Sequence, residues 1–299
     1  MPSGNPFGEG RGRYILLGCI GVFMLPFIAS GVGLLSVGIR ALQRHEANAI
    51  APLLAGFFFT AFSVSIFAVV LVATRNAARD AALRARTPDQ PWMWRPEWSA
   101  RRIPDRRRAS AVFLWIFAIF WNAITIPVSF LIVREWTKQH NPALFIALIF
   151  PAVGLGLIIA AIYTGLRRLK FGVSICTIDS VPIHRGHSFH GEIEMRGDAI
   201  PDDGYRLKLV CVRRVVTGSG KNQSVSETPL AEQEIRVSTA SAMRLPTGGV
   251  RIPFSMTVPS NGPSCDLRNA RDQILWRLEA AAEMPGIDYA ASFELPVFE

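Results

Sequence analysis

The sequence predicts a membrane all-α part of four transmembrane helices, paired as two hairpins, followed by an all-β C-terminal domain folded as an antiparallel β-sandwich. Three observations predict this. Half of the 299 residues are hydrophobic, and mean hydropathy is positive at +0.27, high for a soluble chain of this length. Four runs of 24 or more residues carry no charge, all before residue 167. From Phe171 onward the apolar residues recur with a period of two, the mark of half-buried strands.

The N-terminal tail, residues 1–13, is short and Gly-rich. The first apolar run, Tyr14–Ile39, is longer than a signal-peptide core and ends without a small-residue cleavage site, so it reads as a retained helix. The second run is Ala47–Thr74, the third Ser110–Val133 and the fourth Ala143–Leu166. Each exceeds the ~20 residues needed to cross a bilayer core. The breaks at 40–48 and 134–142 are short, which makes hairpins of residues 14–74 and 110–166. Between them lies the basic, Trp-containing segment 75–109.

The net charge of +9 does not point to nucleic acid, because of where it sits. Residues 1–166 carry 16 Lys/Arg against 7 Asp/Glu, whereas residues 167–299 carry 16 against 16. Ten of the basic residues fall between Arg75 and Arg108. The two short loops have two each: Arg40 and Arg44, then Arg134 and Lys138. Arg11 and Arg13 precede the first run, and Arg167, Arg168 and Lys170 follow the fourth. The bias of Lys/Arg toward one side therefore predicts a cytoplasmic N-terminus, central segment and C-terminal domain.

In the central segment, Trp92, Trp94 and Trp98 stand close to Arg101, Arg102, Arg106, Arg107 and Arg108. Aromatic rings beside basic side chains suit the headgroup layer, where each cation near anionic lipid gains roughly 1 kcal/mol. The plainer role is to anchor the loop and fix topology. Inside the apolar runs the clearest polar residue is Asn122, better read as an interhelical hydrogen-bond partner than as a substrate ligand. Buried charges of the kind that ion-coupled carriers use are missing. Gly31, Gly33, Gly38, Gly154 and Gly156 allow close helix contact.

The strand candidates are 189–195, 205–211, 250–258, 274–280 and 289–295, separated by turn-forming clusters such as Asp202-Asp203-Gly204 and Ser260-Asn261-Gly262-Pro263. Roughly seven or eight short strands over residues 167–299 suggest the sandwich. Phe254 and Trp276 lie on apolar strand faces and are expected in its core. Gly218-Ser219-Gly220-Lys221 resembles the end of a phosphate-binding loop, but Val215 and Asn222 occupy the positions that need Gly and Ser/Thr, so a hairpin tip is the better reading. His184, His187 and His190 are weak metal candidates: they span a loop and a strand start, with no carboxylate or cysteine to complete a set. Cys19 lies in the first run. Cys176, Cys211 and Cys265 are scattered, a count and spacing that argue against a disulfide framework or metal site and for a reducing compartment. No catalytic motif is found, and no cofactor is implied.

The chain resembles, over residues ~14–298, a family of uncharacterised bacterial membrane proteins with a domain of unknown function of the DUF3592 type. The resemblance rests on Pro-Trp-Met-Trp-Arg-Pro-Glu-Trp (91–98), Leu-Lys-Leu-Val-Cys-Val-Arg-Arg (207–214), Thr-Gly-Ser-Gly-Lys-Asn (217–222), Ile-Leu-Trp-Arg-Leu-Glu (274–279) and the closing segment 288–298. Pro229-Leu230-Ala231 stands where such proteins commonly have Leu-Trp. The C-terminal strands are more distantly similar to the arrestin-like sandwich. The resemblance implies a bacterial inner (plasma) membrane, multi-pass, and no known reaction.

Three functions remain open. The leading one is a non-enzymatic, membrane-anchored adaptor whose cytoplasmic sandwich binds a protein partner, with the bilayer and its anionic headgroups as the other partners. The second is a transport or channel accessory subunit, its helices lining a path or forming a homo-oligomer. The third is a membrane enzyme.

Overall fold

The computed structural model describes residues 10–46, 49–106, 108–139, 148–197, 200–218, 223–246 and 248–299. The chain divides into two compact units. Among the described residues, one holds 10–81 together with Ser110–Tyr163, and the other holds Ala82–Ala109 together with Thr164–Glu299.

The first unit is helical. Its elements are α1 (Gly10–Gln43), most of α2 (Ile50–Arg86), α4 (Arg108–Gln139) and most of α5 (Ile149–Phe171). Three stretches are long and apolar enough to cross a membrane: Gly21–Gln43, Pro52–Arg86 and Ile149–Phe171. In α4 the apolar stretch within the described residues is shorter, Val112–Ile126. Large apolar side chains such as Phe23, Phe57, Leu155 and Ile159 stand exposed along these helices, an arrangement suited to lipid and costly in water.

The helices run past their apolar limits. α2 continues beyond Thr74 through Ala-Ala-Arg-Asp-Ala-Ala-Leu-Arg-Ala-Arg, so residues 75–86 are helix and not the loop the charge run suggested. Ala, Leu and Arg are strong helix formers, and hydropathy marks where lipid ends, not where the helix does. Thr87-Pro88 stops it, since proline disfavours helix in the residue before it. α5 likewise runs to Phe171 and ends at Gly172, whose φ of +65° suits the position after a helix.

Small residues set the α1–α2 contact. A Cβ on Gly56 would lie 2.6 Å from the Leu35 nitrogen and 2.7 Å from the Gly31 carbonyl oxygen, and one on Gly38 would lie 2.8 Å from the Leu53 nitrogen. Gly33 and Gly156 face open space. Stacked Phe62 and Phe120 join α2 to α4.

The second unit is mainly β. One sheet runs β1 (Arg102–Pro104), β2 (Ile175–Ile178), β4 (Ser188–Met195), β8 (Val250–Thr257), β7 (Met243–Arg244). The other runs β11 (Tyr289–Leu295), β10 (Asp272–Ala282), β5 (Tyr205–Thr217), β6 (Ser224–Val237), with β9 (Asp266–Asn269) beside β10. All pairings in both sheets are antiparallel. A small parallel pair joins β3 (Ile183–His184) to β12 (Val297–Phe298). Phe189, Ile193, Ile252 and Phe254 of the first sheet form one buried cluster with Leu207, Leu209, Trp276 and Phe293 of the second. Gly191 is glycine for a steric reason: a Cβ there would lie 2.7 Å from the Phe254 ring.

Candidate functional site

The residues with the densest polar chemistry lie where the connection between α2 and α4 folds onto the β unit. Pro91–Met93 forms a 3-10 turn and Pro96–Ser99 a single helical turn, α3. Pro91 and Pro96 each open their turn, where a missing N–H costs nothing. Trp94 donates its indole N–H to the Thr87 carbonyl at 2.7 Å, and the Arg84 guanidinium lies 5.3 Å from its ring centre. Trp98 is 0% exposed and donates to the Glu294 carbonyl at 2.7 Å. Trp92 and Trp98 both pack edge-on against Phe298.

The chain then links the two sheets. β1 pairs with β2 in the first sheet. Directly afterwards Arg106 N–H donates to the Ser292 carbonyl at 3.1 Å, and the Asp105 carboxylate accepts from Ser292 N–H at 3.0 Å, on β11 of the second sheet. On the outer edge of β11 the connection thus satisfies both backbone groups of Ser292.

Over that edge sits a six-residue ion cluster. Glu294, 2% exposed, is ion-paired with Arg95 and Arg106, and the Arg277 Nε lies 3.9 Å away. Arg277 forks onto Glu227 with two bonds of 2.6 Å. Arg214 is the cross-strand neighbour of Glu227. Burial, together with Arg95, Arg277 and Arg214, pushes the Arg106 pKa down to about 10.

The Arg277 fork holds the Glu227 carboxyl below its ordinary 4.5. A depressed acid stabilises the fold at pH above its unfolded value and loses that contribution as pH falls through its folded value. Acid denaturation of the wild type should therefore steepen below about pH 4.5 relative to Glu227→Gln, a difference that far-ultraviolet circular dichroism against pH would read.

Several residues read from the sequence sit elsewhere than expected. Trp94 and Trp98 lie buried in the core of the β unit, where their indole N–H groups bond the Thr87 and Glu294 carbonyls. Trp92 is half-buried against Phe298. Arg106 is ion-paired with Glu294, and Arg101 donates to the Asp179 carbonyl at 2.8 Å. Arg102 is exposed on β1. Arg107, the side chain of Arg108 and the loop residues 219–222 lie outside the described residues. His184 and His187 are 6.1 Å apart between ring centres, and His190 is exposed on β4. Among the described residues no three His, Cys, Asp or Glu side chains converge as a metal site would need.

Asn122 is buried and donates to the Ala118 carbonyl at 2.8 Å and, across to α5, to the Gly154 carbonyl at 2.9 Å. A Cβ on Gly154 would fall 2.5 Å from Asn122 Oδ1. Trp121 adds a second bond across, from Nε1 to the Phe150 carbonyl at 2.9 Å. Asn122→Ala should weaken helix packing by about 0.6–1.7 kcal/mol, read as a lower unfolding midpoint in detergent.

Cys176, Cys211 and Cys265 are buried free thiols. Burial pushes the Cys211 thiol up to about 12 and the Cys265 thiol up to about 11, and raises Cys176 as well. Thiolate is the reactive form. In a Cys19→Ser background, maleimide at pH 8 should leave all three unmodified until denaturant is added, as counted by intact mass.

An open cleft of about 520 Å³ lies at one end of the second sheet, lined by Asp203, Arg206, Arg236, Glu283, Asp288 and Tyr205 among others. Its charges are of mixed sign.

No family model and no curated protein matches the chain. Among solved structures it is similar to Spo0M, a sporulation control protein from Bacillus subtilis, at 15% identity and a TM-score of 0.28. That likeness covers 42% of this chain and 49% of the other. It is also similar to a β-glucosidase from Listeria innocua at 14% identity and a TM-score of 0.18, covering 42% of this chain and 16% of that one. The chain therefore spans about half the length of the first of these and less of the second. At such scores neither likeness carries an argument about fold or function.

Proposed function

We propose that the protein is a non-enzymatic, membrane-anchored adaptor of a bacterial inner membrane. Four helices cross the bilayer as two hairpins and carry a β-sandwich on the cytoplasmic side, in keeping with the DUF3592-type resemblance. The sandwich binds a protein partner along the outer edge of β6. One observation carries this reading: β6 is a 14-residue strand with β5 as its neighbour in the sheet order and its first seven residues exposed. Such an edge offers a row of backbone donors and acceptors to an extended peptide. Its Glu227, Glu232 and Glu234 form ion pairs with basic residues of the sheet, which discourages indiscriminate pairing. A specific partner must therefore bring its own complementary strand.

The test is site-specific photocrosslinking in the full-length protein in its membrane. A probe at Val225 on β6 should recover a defined protein, and a probe at Met243 on the short outer strand β7 should not. Recovery of nothing above background at Val225 would sink the adaptor reading. Impermeant thiol labelling at the 217–222 and 134–142 loops of intact cells, in a cysteine-free background, tests the orientation separately. Reaction at 217–222 would put the sandwich outside.

A further inference from the structure

We infer that the arginine cluster on the second sheet is a binding site for a phosphate group. Arg95, Arg106, Arg214 and Arg277 surround two carboxylates, Glu227 and Glu294, so four guanidinium charges face two acids. The site shares Glu227 with β6 but does not rest on the adaptor reading, which concerns that strand's outer edge.

The geometry fits a compact dianion. By strand alternation Arg214 and Arg277 project from the same face of the sheet, with Val212 and Leu275 paired between them. Leu275 is 1% exposed and Val212 is buried, so apolar side chains lie between Arg214 and Arg277 on that face. Low polarity beneath a charge strengthens its attraction to an anion. Planar guanidinium forks match tetrahedral phosphate oxygens, two bonds at a time.

Two of the four arginines still have capacity to give. The Arg214 Nε is buried and has no hydrogen-bond partner. The Arg106 side chain is 46% exposed, open to solvent on one side. Burial first, and then repulsion from Arg95, Arg277 and Arg214, make Arg106 easier to deprotonate, and a bound dianion would relieve the repulsion.

Phosphate could arrive free or on a lipid headgroup. Arg106 lies two residues before α4, whose apolar stretch begins at Val112, about 6 Å of helix beyond Arg108. Both sources present the same phosphate chemistry, and the two arms of the experiment tell them apart.

The experiment uses the full-length protein in two forms. In detergent without other polyvalent anions, it is titrated calorimetrically with inorganic phosphate. In nanodiscs of equal phosphatidic acid and phosphatidylcholine, retained lipid is counted by native mass spectrometry. Saturable phosphate binding that weakens at least about tenfold in Arg214→Gln, the loss of one charged hydrogen bond, supports the site with a free ligand. Selective retention of phosphatidic acid, lost in Arg214→Gln, supports it with a headgroup. Arg236→Gln, on the same face but beyond the cluster, should change neither. Arg214→Lys, which keeps the charge but loses the fork, should bind with intermediate affinity and covers the case in which the glutamine variant misfolds. No saturable phosphate binding together with no preference for phosphatidic acid overturns the inference, as do equal losses in Arg214→Gln and Arg236→Gln.

Discussion

Glu294→Ala is expected to lower the stability of the β unit by about 3–5 kcal/mol, the range for removing one partner of a buried ion pair. Glu294 is among the few buried charged residues, and it receives Arg95 and Arg106 from the α2–α4 connection. Removing its carboxylate leaves two guanidinium groups facing Arg277 and Arg214 with only Glu227 nearby. The buried part of each then carries a desolvation cost without its carboxylate partner. The expected readout is a reduced denaturation midpoint for the full-length protein in detergent, with new protease cleavage between residues 87 and 107. Glu294→Gln should fall between wild type and alanine, because it keeps the shape and some hydrogen bonding but not the charge. A loss below 1 kcal/mol for the alanine variant would mean that the connection is held by its backbone bonds and aromatic rings alone. Arg106→Gln combined with Glu294→Ala should cost less than the two separate losses added, since both remove the same pair.

The strands that face the core were legible in the sequence, and the reason is local. Phe189, Ile193 and Met195, or Trp276, Leu278 and Ala280, alternate with polar residues because one side of each strand is buried against the other sheet. β6 escaped the same reading. Its exposed sequence, Ser-Val-Ser-Glu-Thr-Pro-Leu, has little apolar alternation, because an outer strand in water does not bury one face consistently. Within it Pro229 pairs with Val212 at the register shift next to Cys211, where a missing N–H is tolerated. The ion cluster was illegible for a different reason. Arg95 and Glu294 are 199 residues apart, and on β11 Glu294 occupies a position that alternation alone assigns to solvent. Only the connection laid over that edge buries it. Asn122 was legible because a polar side chain in an apolar run has few ways to be satisfied, and here its partner is the Gly154 carbonyl of the facing helix.

Trp98→Ala is the second large effect expected, about 3–5 kcal/mol, and it separates two accounts of the tryptophan segment that composition could not. Aromatic rings beside arginines describe a headgroup belt and a core anchor equally well. In the folded protein Trp98 is wholly buried, its ring meets Phe298, its N–H binds the Glu294 carbonyl, and the Arg95 guanidinium lies 4.7 Å from its centre. Truncation therefore opens a cavity in the β unit and frees the end of β11. Trp98→Phe should retain most of the packing and lose the hydrogen bond, at about 1–3 kcal/mol. Trp92, half-buried against Phe298, should cost less when truncated. Unfolding midpoints of the three variants, taken in detergent and again in nanodiscs, decide between the accounts. A core anchor lowers the midpoint by a similar amount in both. A headgroup ring would leave the detergent midpoint unchanged and act only where a bilayer is present. Because the Trp98 ring and the Glu294 carboxylate share Arg95, the double variant should lose less than the sum of the singles. That shortfall would measure how far the connection and the sheet edge behave as one structural unit.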